Sequence, residues 1–181
     1  QRVPAALCYA EYSHLGRTKY LCDTHKVSPP PKAIGGQMKV SGSYVFDAPA
    51  AKVWQVLTEP KSLSRCIPGC EGLDPIGGDE YQAVLSVKIG PISARYNAKI
   101  AMRDKVPHQS YRLVISGTGS GSFVSGDAKI SLAEQDGKTT VSFEGDSQAG
   151  GTVARVGQRL MEGVAKSMMD KFFSCMQQAV R

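Results

Sequence analysis

The C-terminal part of the chain carries an apolar residue at every third or fourth position. The pattern begins after Gly150-Gly151, with Thr152 as a candidate N-cap. It predicts about 28 residues of amphipathic helix, roughly 42 Å long at 1.5 Å per residue. A helix of this length can bury its apolar stripe only against a broad apolar surface. The stripe consists of Val153, Val156, Leu160, Val164, Met168, Phe172 and Met176.

Alternating apolar and polar residues supply that surface. In the clearest run, the even-numbered positions from Ile92 to Met102 are apolar and most of the odd-numbered positions are polar. Similar runs begin near Met38, Glu80, Tyr111, Ala128 and Val141. One apolar face and one polar, solvent-exposed face are typical of an antiparallel sheet that is packed on one side only. We therefore predict an α+β fold in which a curved antiparallel sheet of about seven strands wraps around the long C-terminal helix.

Turn signals separate these runs. Gly90-Pro91 and Asp136-Gly137 predict hairpin turns. Between the first strand and the rest, Pro49 at a first helical position and the Glu59-Pro60 break predict a short helix, because the residue before proline leaves helical geometry. A second helical turn is predicted over 61–66.

Residues 1–37 differ from the rest of the chain. They contain Ser28-Pro29-Pro30-Pro31 and then Gly35-Gly36, a composition typical of a spacer. We predict a poorly ordered leader over 1–37 and one domain over 38–181, with Met38 as a candidate native start. Each part has a net charge of +3, and the charges of the domain alternate in sign. This argues against nucleic acid as a partner, which requires a clustered basic face.

The five cysteines do not have the spacing of a secreted disulfide framework. Cys66 and Cys70 are separated by three residues that include Pro68, and we predict a structural role for both. In the leader, Cys8, His14, Cys22 and His25 match no zinc module, so no metal site is predicted.

The predicted apolar face of the sheet offers few groups for catalysis. Its only hydroxyl-bearing candidates are Tyr96 and Tyr111, and His108 lies in a predicted solvated turn. No nucleophile elbow or phosphate loop is present, since the glycine-rich run 117–122 lacks a strand-to-helix context and predicts a flexible hairpin tip. We therefore predict a protein without catalytic residues.

Two features suggest a binding function. Gly157 and Gly163 lie inside the predicted helix, where each costs about 1 kcal/mol relative to alanine. They indicate either close packing against the sheet or room for a ligand. Phe123-Val124 at a predicted loop tip indicates a lid, a partner patch, a membrane contact, or ordinary packing onto the helix end. The methionines at 161, 168, 169 and 176 fit a core better than a site.

Several segments carry a family resemblance. They read MKVSGSYVFDAPAAKVWQVLTEP (38–60), CIPGCEGL (66–73), VKIGPISARYNAKI (87–100), GTGSGSFVSGDAKISL (117–132) and GGTVARVGQRLMEGVAKSMMDKFF (150–173). In these segments the chain closely resembles the CoxG family of carbon monoxide dehydrogenase accessory proteins, within the START-like helix-grip superfamily. The resemblance covers 38–181 and none of 1–37.

The resemblance implies a non-catalytic accessory protein in the cytoplasm, peripheral to the inner membrane. It would bind a quinone or another apolar lipid, with no covalent cofactor, and couple a molybdenum hydroxylase of the carbon monoxide dehydrogenase type to that membrane. A polyketide cyclase-like enzyme and a pure protein-interaction module are the alternatives on the same fold. The expected ligand-binding residues are Ile67, Leu85, Tyr96, Leu113, Phe123, Val156, Gly157, Leu160 and Val164.

Overall fold

The computed structural model describes residues 35–89 and 92–181. Seven strands form an antiparallel sheet in the order β1-β7-β6-β5-β4-β3-β2, so the predicted fold class is confirmed. The strands are β1 (Gly35–Phe46), β2 (Cys70–Gly77), β3 (Glu80–Ile89), β4 (Ile92–Val106), β5 (Ser110–Gly119), β6 (Ser122–Gln135) and β7 (Lys138–Gly151). The helices are α1 (Ala50–Thr58), α2 (Pro60–Cys66) and α3 (Gln158–Val180).

Consecutive hairpins connect β2 to β7, and β1 pairs with β7. The chain therefore crosses from one edge of the sheet to the other through α1 and α2. Positive φ angles at Asp136 (52°) and Gly137 (73°) give the two-residue turn that their sequence predicts. The Gly90-Pro91 turn lies outside the described residues.

The glycine-rich run forms the tip of the hairpin between β5 and β6, as predicted. Ser120 and Gly121 have φ angles of 50° and 69°, and β6 begins at once with Ser122. Phe123 and Val124 therefore lie in a strand, and their placement at a loop tip was wrong. Val124 packs against the segment that precedes α3, which agrees with the interpretation of ordinary packing.

The two edge strands also differ from expectation. β1 begins at Gly35, which is earlier than Met38, and its first residues pair with the end of β7. β2 was not identified in the sequence because its residues do not alternate clearly. It is mostly exposed and pairs with β3 through two register shifts. Its Pro75 is tolerated because an edge strand has backbone donors that need no partner in the sheet.

The short helices close one end of the sheet. Pro49 is the N-cap of α1 and not its first residue, and the Ala50 N–H donates a hydrogen bond to Glu134 Oε2 at 2.7 Å. This remote carboxylate replaces a local cap, because the N-cap residue Pro49 has no side chain that can accept a hydrogen bond. α2 ends at Cys66, as predicted.

The main core lies between α1, α2, the C-terminal half of α3 and the sheet. Phe173 is central to it, with its ring stacked on Tyr44 at 4.2 Å and on Phe143 at 5.6 Å between centroids. The fully buried members include Phe46, Val53, Leu57, Ala83, Val141 and Met176.

The prediction of one continuous C-terminal helix from Thr152 was wrong. Residues Thr152–Val156 form a 3-10 helix, Gly157 has a φ of 89°, and α3 begins only at Gln158. A left-handed φ cannot continue an α-helix, so the break shifts the phase of the helix that follows. The packed residues of α3 include Met161, Val164, Met169, Phe172, Phe173, Met176 and Val180, whereas Leu160 of the predicted stripe is 40% exposed.

A disulfide joins Cys66 at the end of α2 to Cys175 in α3. The sequence did not reveal this pairing, because 109 residues separate the two cysteines. Cys70 is free and half-buried, and its Sγ lies 3.4 Å from the Gly72 carbonyl oxygen. The leader cysteines and histidines fall outside the described residues.

Two searches of the described residues are negative. None of their helices combines the length and the apolar character needed to cross a membrane. No group of three or more His, Cys, Asp or Glu side chains among them is arranged to hold a metal ion.

Candidate functional site

Small side chains cross the concave face of the sheet on neighbouring strands. Ala83 of β3 pairs with Ala98 of β4, which pairs with Gly117 of β5. Gly117 pairs in turn with Val124 of β6, and Val124 pairs with Ala149 of β7. All except Val124 are alanine or glycine, and these are buried. We call these five residues the small-residue row; Ala83 and Ala98 also belong to the main core, and Ala149 lies at the opposite, β7 end.

A second apolar cluster covers the β7 end of this row. It is separate from the main core and is centred on Ala149 and on Val153 of the 3-10 helix. Around them pack Val87, Val124, Val156, Met161 and Val164. The residues just before and just after the Gly157 break thus lie over the row, away from the tightly packed half of α3.

A cavity of about 50 Å³ lies at this end of the row. It is lined by Ala149 and by residues from both sides of the Gly157 break, together with Met38 and Ser147 from the sheet. Sites for drug-sized ligands have volumes of about 300–1,000 Å³. The cavity therefore marks a gap in the packing, and a ligand of that size would need more room.

Tyr96 lies beside the row, on the same strand as Ala98. Its side chain is 2% exposed, and its hydroxyl has no hydrogen-bond partner among the described residues. Its cross-strand partner Leu85 packs on the main core, whereas Val87, two residues further, packs in the second cluster. The Tyr96 ring is therefore located between the two apolar clusters.

Tyr111 does not join Tyr96 in one site. The pairing of Arg112 with Arg103 places Tyr111 at least seven residues along β4 from Tyr96, roughly 23 Å at 3.3 Å per residue. Tyr111 is in the main core, edge-to-face with Trp54 at 5.7 Å, and burial raises its pKa well above the usual range. His108 is exposed in the adjoining turn, as expected.

The nine residues expected to bind a ligand fall in several places. Ile67, Leu85 and Leu113 pack on the main core, and Val156 and Val164 belong to the second cluster. Phe123 is half-buried against Gly150, and Leu160 is exposed. The sequence analysis did not select Ala83, Ala98, Gly117 and Ala149. Their small size at inward-facing strand positions was the available signal.

The glycines of the terminal segment have other roles than expected. A methyl group added at Gly157 or Gly163 would meet no atom within 4 Å, so the close-packing interpretation was wrong for both. Glycine is needed at position 157 because the backbone φ there is 89°, which other residues rarely adopt. Gly163 is exposed, so the open space beside it is solvent and not a ligand cavity.

An open groove of about 470 Å³ separates β1 from α3. Across it the Tyr44 hydroxyl donates a hydrogen bond to Asp170 Oδ1 at 2.6 Å. Within α3, Lys166 Nζ donates to Asp170 Oδ2 at 3.0 Å. Burial raises the pKa of Tyr44 to about 12, and the bonded Asp170 carboxylate adds to the shift. The hydrogen bonds from Tyr44 and Lys166 lower the pKa of Asp170. These contacts hold α3 on the edge strand.

A family model for the G subunit of carbon monoxide dehydrogenase (CoxG) matches residues 42–181. The chain belongs to this family. The resemblance seen in the sequence motifs is thereby confirmed. No protein with a curated description matches the chain significantly.

Solved structures share the fold of this chain. A conserved protein from Geobacillus kaustophilus is 34% identical, with a TM-score of 0.76, and the alignment covers 79% of this chain and 95% of that one. A START superfamily protein from Mycobacterium smegmatis is 12% identical, with a TM-score of 0.62 and coverage of 80% and 97%. The Zhui aromatase/cyclase from Streptomyces sp. R1128 is 14% identical, with a TM-score of 0.62 and coverage of 80% and 94%. The last two show a shared fold only.

The two exposed glycines provide a matched pair of variants. Gly157→Ala should lower the free energy of unfolding by about 1 kcal/mol, because alanine is strained at positive φ. Gly163→Ala should raise it by about 0.5–1 kcal/mol, because alanine favours a helix interior. Urea denaturation measures both. Equal effects of the same sign would contradict the proposed break at Gly157.

Proposed function

We propose that this CoxG family member binds an apolar small molecule, such as a quinone or another isoprenoid lipid, between the small-residue row and the start of α3. The observation that carries the proposal is the gap of about 50 Å³ at the β7 end of the row, where the small side chain of Ala149 faces the start of α3. Clefts that are mostly apolar, with few polar groups, are the usual form of lipid sites.

Binding requires part of the terminal segment to move. A volume of about 50 Å³ cannot hold a quinone ring. The C-terminal half of α3 is held by Phe173, Met176 and the disulfide at Cys175. The half nearest Gly157 has mostly exposed or half-buried residues. We infer that the first turns of α3 move away from the sheet to admit the ligand, with Gly157 as the flexible joint to the 3-10 helix, which Val153 anchors.

The proposed role is that of an accessory protein and not of an enzyme. The ligand would carry electrons between a molybdenum hydroxylase and the cytoplasmic membrane, and the protein would bring the two together. Membership of the CoxG family, which is named after carbon monoxide dehydrogenase, supports the choice of partner. The proposed apolar site supports the carrier role, because transfer of an apolar electron carrier from water into an apolar site is favourable.

Ligand binding is tested by placing a larger side chain in the small-residue row. Ala149→Leu should lower the affinity for decylubiquinone at least tenfold, because the added atoms occupy the gap beside Val153 and Met161. Ala133→Leu makes the same change at an exposed position of β6 and should leave the affinity unchanged. Fluorescence titration gives the affinities, and mass spectrometry of organic extracts identifies any molecule that copurifies with the protein.

A wild-type protein that neither binds decylubiquinone nor yields any lipid on extraction would refute the carrier proposal. It would leave the protein-interaction module as the better explanation. Equal affinity in the Ala149→Leu and Ala133→Leu variants would show that the ligand lies elsewhere.

The coupling role predicts that the protein bridges two surfaces. A carbon monoxide dehydrogenase-type hydroxylase should sediment with inner-membrane vesicles when this protein is added and remain in the supernatant without it. Vesicle sedimentation followed by a hydroxylase activity assay measures the fraction bound. No increase in the sedimented activity would contradict the recruitment part and leave ligand binding intact.

A cyclase-like enzyme is the second candidate, favoured by the buried Tyr96 hydroxyl. The separation of Tyr96 from Tyr111 argues against a paired catalytic site. Such an enzyme would lose turnover of a polyketide substrate in the Tyr96→Phe variant. We expect no turnover in the wild-type protein either, and a measurable rate would favour the enzyme.

A further inference from the structure

We propose that the Tyr96 hydroxyl selects ligands that carry a neutral hydrogen-bond acceptor, such as the carbonyl oxygen of a quinone. This inference rests on the proposed function and specifies the chemistry of that site. It predicts that a purely hydrocarbon molecule, although it fits the apolar row, gains nothing from Tyr96.

The first argument is the state of the hydroxyl. It belongs to a side chain that is 2% exposed, and no described residue offers it a hydrogen bond. Burying a hydroxyl without a partner is unfavourable, and native proteins contain few such groups. Phenylalanine would provide the same ring without this cost, so the oxygen needs an explanation other than packing.

The second argument is position. Tyr96 lies next to Ala98 on β4, and Ala98 belongs to the small-residue row. The residues around Tyr96 divide between the main core, through Leu85, and the second cluster, through Val87. A molecule that extends along the row from the gap at Ala149 would therefore reach Tyr96 at the β4 end, beside Ala98.

The third argument is charge. The sequence neighbours Arg95 and Asn97 alternate to the exposed face, and Arg95 pairs there with Glu71 at 2.7 Å. Lys99 is also exposed and pairs with Glu80 at 2.6 Å. The buried neighbours on this strand, Ala94 and Ala98, are uncharged. A carboxylate would thus be buried here without a cation, which is strongly unfavourable, whereas a neutral carbonyl oxygen accepts one hydrogen bond from the phenol.

Tyr96→Phe and Tyr111→Phe are the paired variants for the test. Both remove one hydroxyl from a buried ring, but Tyr111 lies in the main core. Tyr96→Phe should weaken decylubiquinone binding about tenfold, the usual range for one lost hydrogen bond in a buried site. It should leave the affinity for decylbenzene, which lacks an acceptor, unchanged or slightly higher. Tyr111→Phe should change neither affinity.

Infrared spectroscopy gives a direct readout of the bond. The carbonyl stretch of bound decylubiquinone should lie at lower frequency in the wild-type protein than in Tyr96→Phe, because a hydrogen bond weakens the C=O bond. Unliganded Tyr96→Phe should unfold at a temperature no lower than the wild-type protein, because it loses an unpaired hydroxyl. This measurement also shows that the variant is folded.

The outcomes separate the two proposals. Equal quinone affinity and equal carbonyl frequency in the wild-type protein and in Tyr96→Phe would overturn the role of Tyr96 while leaving the carrier proposal intact. An equal loss of decylbenzene and decylubiquinone affinity would also overturn it, since the effect would then be one of packing. Failure of the wild-type protein to bind either probe would overturn the proposed function first.

Discussion

The packing of Phe173 fixes the position of the terminal helix on the sheet. Its ring stacks on Tyr44 from β1 and on Phe143 from β7. The Phe46 ring is T-shaped to it, with 6.5 Å between the ring centroids. Aromatic pairs at such distances contribute about 0.5–1.5 kcal/mol each beyond the area that they bury. The disulfide between Cys66 and Cys175 also links α2 to the C-terminal half of α3. One half of the helix is therefore held by the aromatic stack, the disulfide and the main core together.

The other half lacks equivalent contacts among the described residues. The sheet beneath it presents the small-residue row, and in the second cluster that covers the row only Ala149 and Val153 are buried. Helical stability in proteins comes mainly from the packing of an apolar face, so a half-helix with few such contacts opens at low cost. The difference between the two halves of α3 is the physical basis of the proposed ligand entry at the Gly157 end of the helix.

Much of the fold could be predicted because strands with one buried face follow a simple alternation. The run from Ala94 to Met102 and the Asp136-Gly137 turn were predicted from residue types alone, and the structure confirms them. The break at Gly157 was missed because its flanking sequences keep a helical period, and only the φ angle shows the interruption. β2 was missed because an edge strand needs no alternation.

The proposed site depends on features that residue types alone do not show. Large apolar residues were expected to bind the ligand, whereas the proposed site includes small ones such as Ala98 and Ala149, whose positions become related only when neighbouring strands are in register. Leu160 was expected in the site, but it is 40% exposed in the first turn of α3. Tyr96 was selected for its hydroxyl. That the hydroxyl lacks a partner among the described residues follows from the three-dimensional structure and from no feature of the sequence.

The difference in stability between the two halves of α3 is tested most directly by hydrogen exchange monitored by mass spectrometry, with and without decylubiquinone. Without the quinone, amides of residues 158–166 should exchange much faster than those of residues 170–180. Adding the quinone should slow exchange in the first segment and leave the second unchanged. Equally slow exchange along the whole helix, with no change when the quinone is added, would contradict the account.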